Sequence, residues 1–262
     1  MNTKLKIGVV GGGGWLAQTI IKALLEKRVI GESEVGISYR STAPTEYSAA
    51  LTTTNSQVLV DASETIILSV RPADFRNLSI NAEGKLVISV MAGISMAQLS
   101  TGTNSKRIIR AMPNVAASVG KSYTPWVASP AATVEDKALV ARLFEACGIC
   151  DEVATEQDVD YLTGLSGSGP AFSALLADAL GSDAVARGIP AETAERAVRQ
   201  LLIGAGRLFD IEPKPMVEIV RDFVEYKGVV AAAINGMKAS GFDAAVHAGL
   251  AAALEKIKSF DN

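Results

Sequence analysis

Histidine and cysteine are scarce in this chain, which has one histidine and two cysteines among 262 residues. A single histidine cannot provide a cluster of imidazole ligands for a metal, and it leaves little choice for a Ser-His-Asp triad. Two cysteines cannot form a disulfide framework or a four-cysteine zinc site. The sequence therefore contains few of the side chains that usually catalyse reactions.

An excess of basic charge and a long hydrophobic run are also missing. The net charge of -3, from 25 basic and 28 acidic residues, provides no basic face for a nucleic acid. No apolar run approaches the roughly 18 residues that suggest a membrane span. Residues 1–14 faintly resemble a signal peptide, but glycine fills most of the segment that should be apolar. We therefore expect a cytoplasmic protein with neither a nucleic-acid partner nor a membrane partner.

The two cysteines form a C-x-x-C sequence, Cys147 to Cys150, where a helix predicted over residues 135–147 gives way to a short strand. A redox role would need a thioredoxin-like context. We therefore expect two reduced cysteines at a helix end, with the redox role as the alternative. The lone histidine, His247, lies inside the last predicted helix, and we expect a packed or surface residue there, not a catalyst.

The first half of the chain alternates short apolar segments with helical ones. Strands are predicted at residues 5–10, 34–39, 65–70, 86–90 and 106–110. Strands that are apolar throughout are typical of a parallel sheet with helices on both faces. The pattern predicts an α/β Rossmann-type domain over residues 1–157.

Beyond about residue 155 the strand-like segments disappear. Helices are predicted at residues 170–187, 190–210, 214–223, 228–239 and 242–259. Several of them are apolar nearly all round, and a helical domain of about 105 residues cannot bury that much apolar surface alone. We therefore predict an all-α dimerisation domain over residues 158–262 and a homodimer or higher oligomer.

Four consecutive glycines follow the first predicted strand. In the register that starts at Gly11, the third position of the G-x-G-x-x-G/A fingerprint is Leu16, which is too large for close packing of helix on strand. In the register that starts at Gly12, Gly14 and Ala17 satisfy the pattern. Early glycines let the backbone approach a pyrophosphate, and the helix N-terminus supplies N–H groups. The sequence therefore predicts a dinucleotide site.

The residues after the second predicted strand indicate which dinucleotide binds. An acidic residue there would hold a ribose 2′-hydroxyl and favour NAD, but this chain has Arg40, Ser41 and Thr42. The guanidinium of Arg40 offers a charged fork to a 2′-phosphate, and the two hydroxyls are further donors. We therefore predict NADPH, with NADH less favoured, the alternative being that Arg40 is a solvated surface residue.

Further motifs are spread along the chain. They are Val70-Arg71-Pro72, the segment from Ser89 to Ile94, Arg110-Ala111-Met112-Pro113-Asn114, the segment from Leu165 to Phe172, and Gln200 with Gly204-Ala205. Together they resemble the pyrroline-5-carboxylate reductase family, the last enzyme of proline synthesis. The resemblance implies an NAD(P)H-binding Rossmann domain followed by a helical domain that interlocks between two subunits.

The resemblance also implies a reaction and a set of contacts. Hydride would pass from the nicotinamide to the C=N carbon of 1-pyrroline-5-carboxylate and give L-proline, and no histidine or cysteine is required. The predicted cofactor contacts are Gly12, Gly14, Trp15, Leu16, Arg40, Ser41, Asn55, Val70, Arg71, Pro72, Ala92 and Gly93. The alternatives are that Val70 and Pro72 only end a strand, that Asn55 is a loop residue, and that residues 112–114 form a structural turn.

The resemblance breaks at the substrate loop. The family has Ser-Pro-Gly-Gly-Thr-Thr, where this chain has Glu225-Tyr226-Lys227-Gly228-Val229-Val230. Val230 stands where the family's threonine faces the ring nitrogen, and valine cannot form hydrogen bonds. The helix N-terminus could still bind a carboxylate, and Lys227 could add charge. Glu225 would repel an anionic substrate unless it pairs, for instance with Lys227.

These departures leave several functions open. The predicted substrate contacts are Glu225, Lys227, Gly228, Val229 and Val230, and Asp178 stands where the family usually has glutamate. The chain could reduce pyrroline-5-carboxylate, reduce another small cyclic imine or carbonyl compound, or bind NADPH without turnover. A β-hydroxyacid dehydrogenase would need a lysine near the nicotinamide, and the sequence around Lys227 does not resemble that family.

Overall fold

The computed structural model describes residues 5–212 and 214–260, so residues 1–4 of the signal-like segment lie outside the described range. The chain forms two compact units. The first continues past residue 157 to Ser168 and also includes the segment from Ala253 onward, and the second is Gly169–Ala252. None of the helices in the described ranges is both long and apolar enough to cross a bilayer.

The first unit contains one eight-stranded sheet. Its strands are β1 (Leu5–Val10), β2 (Val35–Ser38), β3 (Leu51–Thr53), β4 (Ser63–Leu68), β5 (Leu86–Ser89), β6 (Arg107–Ala111), β7 (Ser122–Ala128) and β8 (Gly148–Glu152). The spatial order is β3-β2-β1-β4-β5-β6-β7-β8. The first six strands in this order are parallel, as expected of a Rossmann-type sheet.

One edge of the sheet, beyond the five strands that the sequence predicts as parallel, contains an antiparallel pair. Strand β7 runs antiparallel to β6, and β8 is parallel to β7. The connection between β6 and β7 holds only a short 3-10 helix, Val115–Val119, instead of a crossover helix. Such a short connection suits an antiparallel pair, whereas a parallel pair needs a longer crossover.

Helices cover both faces of the sheet. Those of the first unit are α1 (Trp15–Glu26), α2 (Ser56–Ala62), α3 (Pro72–Phe75), α4 (Met96–Thr103), α5 (Val134–Glu145) and α6 (Glu156–Leu162). Side chains along β4 alternate between the two faces of the sheet. Ile67 packs in the buried cluster that includes α1 and α5, whereas Ile66 and Leu68 pack in the cluster that includes α2 and α4. This arrangement confirms the predicted α/β Rossmann-type domain.

The second part of the chain is helical, as predicted. Its helices are α7 (Gly169–Ala186), α8 (Ala191–Ile211), α9 (Met216–Glu225), α10 (Val229–Ala239) and α11 (Phe242–Lys258). Among the described residues of the second unit, only Ala194 and Ala231 are buried, whereas large apolar side chains such as Leu175 and Val217 are well exposed. The second unit therefore has almost no core of its own.

An ion pair fixes α5 to the sheet. The guanidinium of Arg107, on β6, donates from Nε to Asp136 Oδ2 over 2.8 Å and from Nη2 to Oδ1. Asp136 also accepts from the backbone N–H of Thr133 at the helix N-terminus. Burial alone would raise the pKa of Asp136, but Arg107 and the Thr133 N–H together hold it below its usual value.

We expect Asp136→Asn to reduce the free energy of unfolding by about 2 kcal/mol at pH 7, because the buried charged hydrogen bonds are weakened. The folded-state pKa of Asp136 lies below the unfolded one. The stability that the Asp136 carboxylate adds to the wild type is therefore complete above the unfolded-state pKa of about 3.9. It is lost as the pH falls through the folded-state pKa. Urea unfolding at pH 7 and at stepwise lower pH measures both effects.

The control is Glu152→Gln, which removes a carboxylate from the exposed pair that Lys137 Nζ and Glu152 Oε1 form at 2.6 Å. Exposed pairs contribute about 0–1 kcal/mol. Equal losses for the two variants would contradict the importance of the buried pair.

Candidate functional site

The loop between β1 and α1 turns at Gly11, whose φ is +79°. A Cβ at Gly11 would lie 2.7 Å from the Ser69 carbonyl oxygen, and one at Gly12 would lie 2.6 Å from Ile37 Cγ2. Gly13 and Gly14 are exposed. Gly11 and Gly12 are thus required by the turn and by packing, and the backbone of the next two glycines is accessible to a ligand.

This arrangement corrects part of the predicted register. The register that starts at Gly12 predicts a cofactor contact there, but Gly12 is buried against Ile37. The residue with positive φ is Gly11, at the start of the other register. Ala17, at the third position of the predicted register, is fully buried and lets α1 lie close to the sheet.

A cavity of about 630 Å³ opens at the carboxyl ends of β1, β2 and β4. Of the predicted cofactor contacts, Gly14, Arg40, Ser41, Val70 and Arg71 line it. Open α/β sheets bind dinucleotides at this edge of the sheet. The sequence reasoning missed Thr54, Ser56 and Asp74, which also line the cavity.

Other predicted contacts have structural roles. Asn55 caps α2, because its side-chain oxygen accepts from the backbone N–H groups of Gln57 and Val58 over 3.0 and 3.3 Å. Pro72 occupies the first turn of α3, where a missing N–H costs little. Trp15 is 56% exposed and lines a different cavity of about 560 Å³ in the first unit, and Leu16 lines neither cavity.

The predicted contacts Ala92 and Gly93 lie after β5. Gly93 has a φ of +67°, and a Cβ there would come within 2.6 Å of the Ile257 carbonyl oxygen and 2.8 Å of Phe260 Cβ. Ala92 packs against a small cluster that contains Met112. The glycine is therefore required where the C-terminal segment of the first unit lies against the turn after β5.

Two of the sequence motifs contact each other. Asn114 Nδ2 donates to the Ser166 carbonyl oxygen over 2.9 Å, and its Oδ1 accepts from the Ala116 N–H over 2.9 Å. Ser166 lies in a π-helical turn, Thr163–Gly167. Such turns are frequent at functional sites. The hydrogen bond joins the segment after β6 to the start of the predicted family motif at Leu165.

Arg110, the first residue of the motif that ends at Asn114, is nearly completely buried on β6. Its guanidinium donates to Glu156 Oε2 over 2.7 Å and to Asp160 Oδ1 over 2.6 Å. Glu156 also accepts from the backbone N–H of Met96 over 2.8 Å. The arginine therefore fixes α6 to the sheet, and Glu156 links α6 to the start of α4.

The segment aligned with the substrate loop joins α9 to α10. Lys227 has a φ of +55°, and Gly228 precedes α10 without a side-chain cap. Gly228, Val229 and Val230 line a cavity of about 690 Å³ in the second unit, but Glu225 and Lys227 do not. The first N–H groups of α10 are thus free of a side-chain cap beside this cavity.

The suggested pairing of Glu225 with Lys227 is wrong. Glu225 Oε1 lies 3.9 Å from Arg221 Nε, one helical turn earlier. Side chains four apart on a helix lie on the same face, and the left-handed backbone at Lys227 ends that helix.

The loop cavity also contains an ion pair that sequence reasoning missed. Lys214 Nζ donates to Asp222 Oδ2, and this hydrogen bond raises the pKa of Lys214. Glu212 lines the same cavity. The eight-residue spacing between Lys214 and Asp222 has no motif that could have indicated the pair.

The cysteines and the histidine lie as expected. Burial raises the pKa of Cys147 to about 11, so its thiol is protonated at neutral pH. Burial also raises the pKa of Cys150, on β8. His247 is exposed on α11. Within the described ranges, no group of three His, Cys, Asp or Glu side chains is arranged to hold a metal ion.

Comparison with known proteins places the chain among reductases. A family profile described as "Pyrroline-5-carboxylate reductase dimerisation" matches residues 156–260, and one described as "NADP oxidoreductase coenzyme F420-dependent" matches residues 6–93. The pyrroline-5-carboxylate reductase of Pisum sativum is 30% identical over 88% of this chain and 87% of its own. The chain belongs to the pyrroline-5-carboxylate reductase family. The resemblance stated from the motifs is therefore confirmed.

Other members of the family agree over nearly the whole length. The reductase of Synechocystis is 28% identical over 92% of this chain and 93% of its own. A pyrroline-5-carboxylate reductase structure from Coxiella burnetii superimposes with a TM-score of 0.85 at 25% identity, over 99% of both chains. The Plasmodium falciparum enzyme, solved with NADP bound, has a TM-score of 0.83 at 22% identity over 99% of both chains and shares the fold.

We expect Gly11→Ala to destabilise the protein by about 1–3 kcal/mol or more, because the backbone is left-handed and the new methyl group meets the Ser69 carbonyl. The matched variant is Gly14→Ala, whose φ is -76° and whose Cβ would lie 3.3 Å from the Gly11 carbonyl oxygen. It should cost about 1 kcal/mol or less. Thermal unfolding compares the two, and equal losses would contradict the role given to Gly11.

Proposed function

We propose that this chain reduces the C=N bond of 1-pyrroline-5-carboxylate to L-proline with NADPH. The observation that carries the proposal is the similarity to pyrroline-5-carboxylate reductases over about nine tenths of both chains. The scarcity of catalytic side chains is compatible with it, because NADPH supplies the hydride when bound and the protein supplies positioning and electrostatics. No residue of the chain is assigned as a catalytic acid or base.

The cavity at the sheet edge fits the adenosine and phosphate part of NADPH. Gly13 and Gly14 present exposed backbone at the start of α1, and Gly14 leaves the helix without a side-chain cap. A pyrophosphate can therefore accept from the first N–H groups of that helix. Arg40 and Ser41 line the cavity beyond the end of β2, where they would bind the 2′-phosphate.

The N-terminus of α10 supports binding of the substrate carboxylate. Backbone N–H groups after Gly228 can donate to an anion whatever the side chains are. Val229 and Val230 give the cavity an apolar wall, with side chains that cannot hydrogen-bond to the ring. The carboxylate of a five-membered imino acid can thus be held by the backbone alone.

One observation favours a second candidate function. The cavity beside Val230 contains the carboxyl groups of Glu212 and Asp222 and the ammonium of Lys214. Because this set has an excess of negative charge, it is less suited to an anionic substrate than to a neutral one. Reduction of a different small cyclic imine, one without a carboxylate, is therefore the alternative.

The decisive assay follows NADPH oxidation with pyrroline-5-carboxylate and with cyclic imines that lack the carboxylate. We expect turnover with pyrroline-5-carboxylate, and we expect Val230→Thr to raise kcat/KM for it by up to about ten-fold, because one hydrogen bond is restored. The same assay with NADH should give the lower kcat/KM.

The matched control is Val217→Thr, which adds a hydroxyl to a side chain on α9 that is 75% exposed and does not line the cavity beside Val230. It should leave kcat/KM within about two-fold, because it restores no ring contact. Faster turnover of a carboxylate-free imine would favour the second candidate. NADPH binding without oxidation of any imine would indicate a non-catalytic relative.

We also propose that the second unit associates with the same unit of another copy. The family profile that matches residues 156–260 is one for dimerisation. A unit that buries only Ala194 and Ala231 among its described residues needs another surface to cover its apolar side chains. The proposed partners are the imino-acid substrate and a second copy, and the cytoplasmic location stays a prediction from the sequence.

Sedimentation at micromolar concentration should therefore give a dimer or a larger oligomer. Leu201→Glu, which charges an exposed apolar position on α8, should weaken association by about ten-fold or more. The control is Val134→Glu in the first unit, where the side chain is 79% exposed. A stable wild-type monomer, or equal effects of the two variants, would contradict this assembly.

A further inference from the structure

The cavity at the edge of the sheet contains both signs of charge. Arg40 and Arg71 line it, and Asp74 is the single acidic residue among its described lining residues. Arg40 Nη1 lies 3.4 Å from Asp74 Oδ1, and the side chains are 80% and 42% exposed. The residue predicted to hold a 2′-phosphate is therefore already paired with a carboxylate.

We propose that Asp74 determines cofactor specificity by competing for Arg40 and so weakening the binding of the NADPH 2′-phosphate. This inference rests on the proposed use of NADPH. A bound 2′-phosphate brings a second anion to the guanidinium, with a charge of about -1.5 to -2 near neutral pH. NADH has a 2′-hydroxyl there, so Asp74 acts against one cofactor and not the other.

The Arg40–Asp74 pair is weak enough for the carboxylate to compete with a phosphate for Arg40 without preventing NADPH from binding. Exposed ion pairs contribute little to stability, so a phosphate can displace the carboxylate. The displaced carboxylate stays in the same cavity and repels the phosphate through a partly solvated path. Arg40 therefore still favours NADPH, but by less than an unpaired arginine would.

The Asp74 side chain is not needed for the local fold. Its backbone N–H donates to the Arg71 carbonyl oxygen over 2.9 Å in the short helix α3, and asparagine keeps that bond. The pair also joins the end of β2 to α3, so the side chains meet across the cavity and not within one element. A change of cofactor affinity in Asp74→Asn can therefore be separated from a change of fold.

Calorimetric titration of NADPH and NADH into the full-length protein tests the proposal. We expect Asp74→Asn to tighten NADPH binding by about three- to ten-fold and to change NADH binding by less than about two-fold. The gain should shrink between roughly 50 mM and 500 mM salt, because exposed charges are screened. Asp74→Ser should show the same direction, and thermal melts check that both variants are folded.

Two comparisons make the test specific to the pair. Glu83→Gln removes one negative charge from an exposed turn outside the cavity, and it should leave both affinities unchanged. In an Arg40→Gln background, Asp74→Asn should increase the affinity for NADPH by less than it does in the wild type, because the arginine for which Asp74 competes is gone.

The proposal is overturned if Asp74→Asn leaves NADPH binding unchanged or weakens it, if NADH gains as much, or if the gain is equal in the Arg40→Gln background. These results leave the proposed use of NADPH intact as long as the wild type binds NADPH. A wild-type protein that binds no NADPH would refute the proposed cofactor and this inference together.

Discussion

The turn that joins β1 to α1 is the constraint on which the cavity at the sheet edge depends. Only a residue without a Cβ fits at Gly11, where the backbone is left-handed and the Ser69 carbonyl lies close. Gly12 has no side chain either, so Ile37 of β2 can occupy the space beside it. Because the chain reverses here within four residues, the N-terminus of α1 is directed at the carboxyl edge of the sheet. Four consecutive glycines thus serve different purposes: two satisfy the turn and the core, and two leave backbone exposed.

The sequence predicts those parts of this arrangement that show a pattern within one short segment of the chain. The central strands read as short apolar segments, and the ends of parallel strands meet at one edge of a sheet. The position of Arg40 after the second strand predicts its place in the site, whereas Val70 and Arg71 are predicted only by the resemblance of their motif to the family. Strand β3 has only three residues, mostly exposed, and β7 is interrupted by Pro125, which is unfavourable inside a strand, so the sequence predicts neither. Their pairing partners are distant in sequence.

Some residues of the candidate sites could not be predicted for the same reason: their partners are brought close only by the fold. Arg40 and Asp74 are 34 positions apart, and only the fold brings them to 3.4 Å. Lys214 and Asp222 are closer in sequence but meet between α9 and the segment before it. The sequence also does not indicate which glycine makes the turn, because Gly12 and Gly14 satisfy the G-x-G-x-x-G/A pattern. Which glycine faces the core depends on Ile37, a residue of another strand.

The altered loop before α10 separates two kinds of recognition. A carboxylate can be bound by backbone N–H groups, which every residue except proline provides, so replacing threonines by Val229 and Val230 removes none of these donors. The hydroxyl that the family resemblance places at the ring nitrogen is a side-chain feature, and Val230 does not provide it. A protonated imine then has a donor without a partner, which costs free energy when the site is closed to water. Under the proposed function, the chain therefore keeps the backbone donors for a carboxylate and lacks the side-chain donor to the ring, so the ring of the substrate is where this member of the family can differ from its relatives.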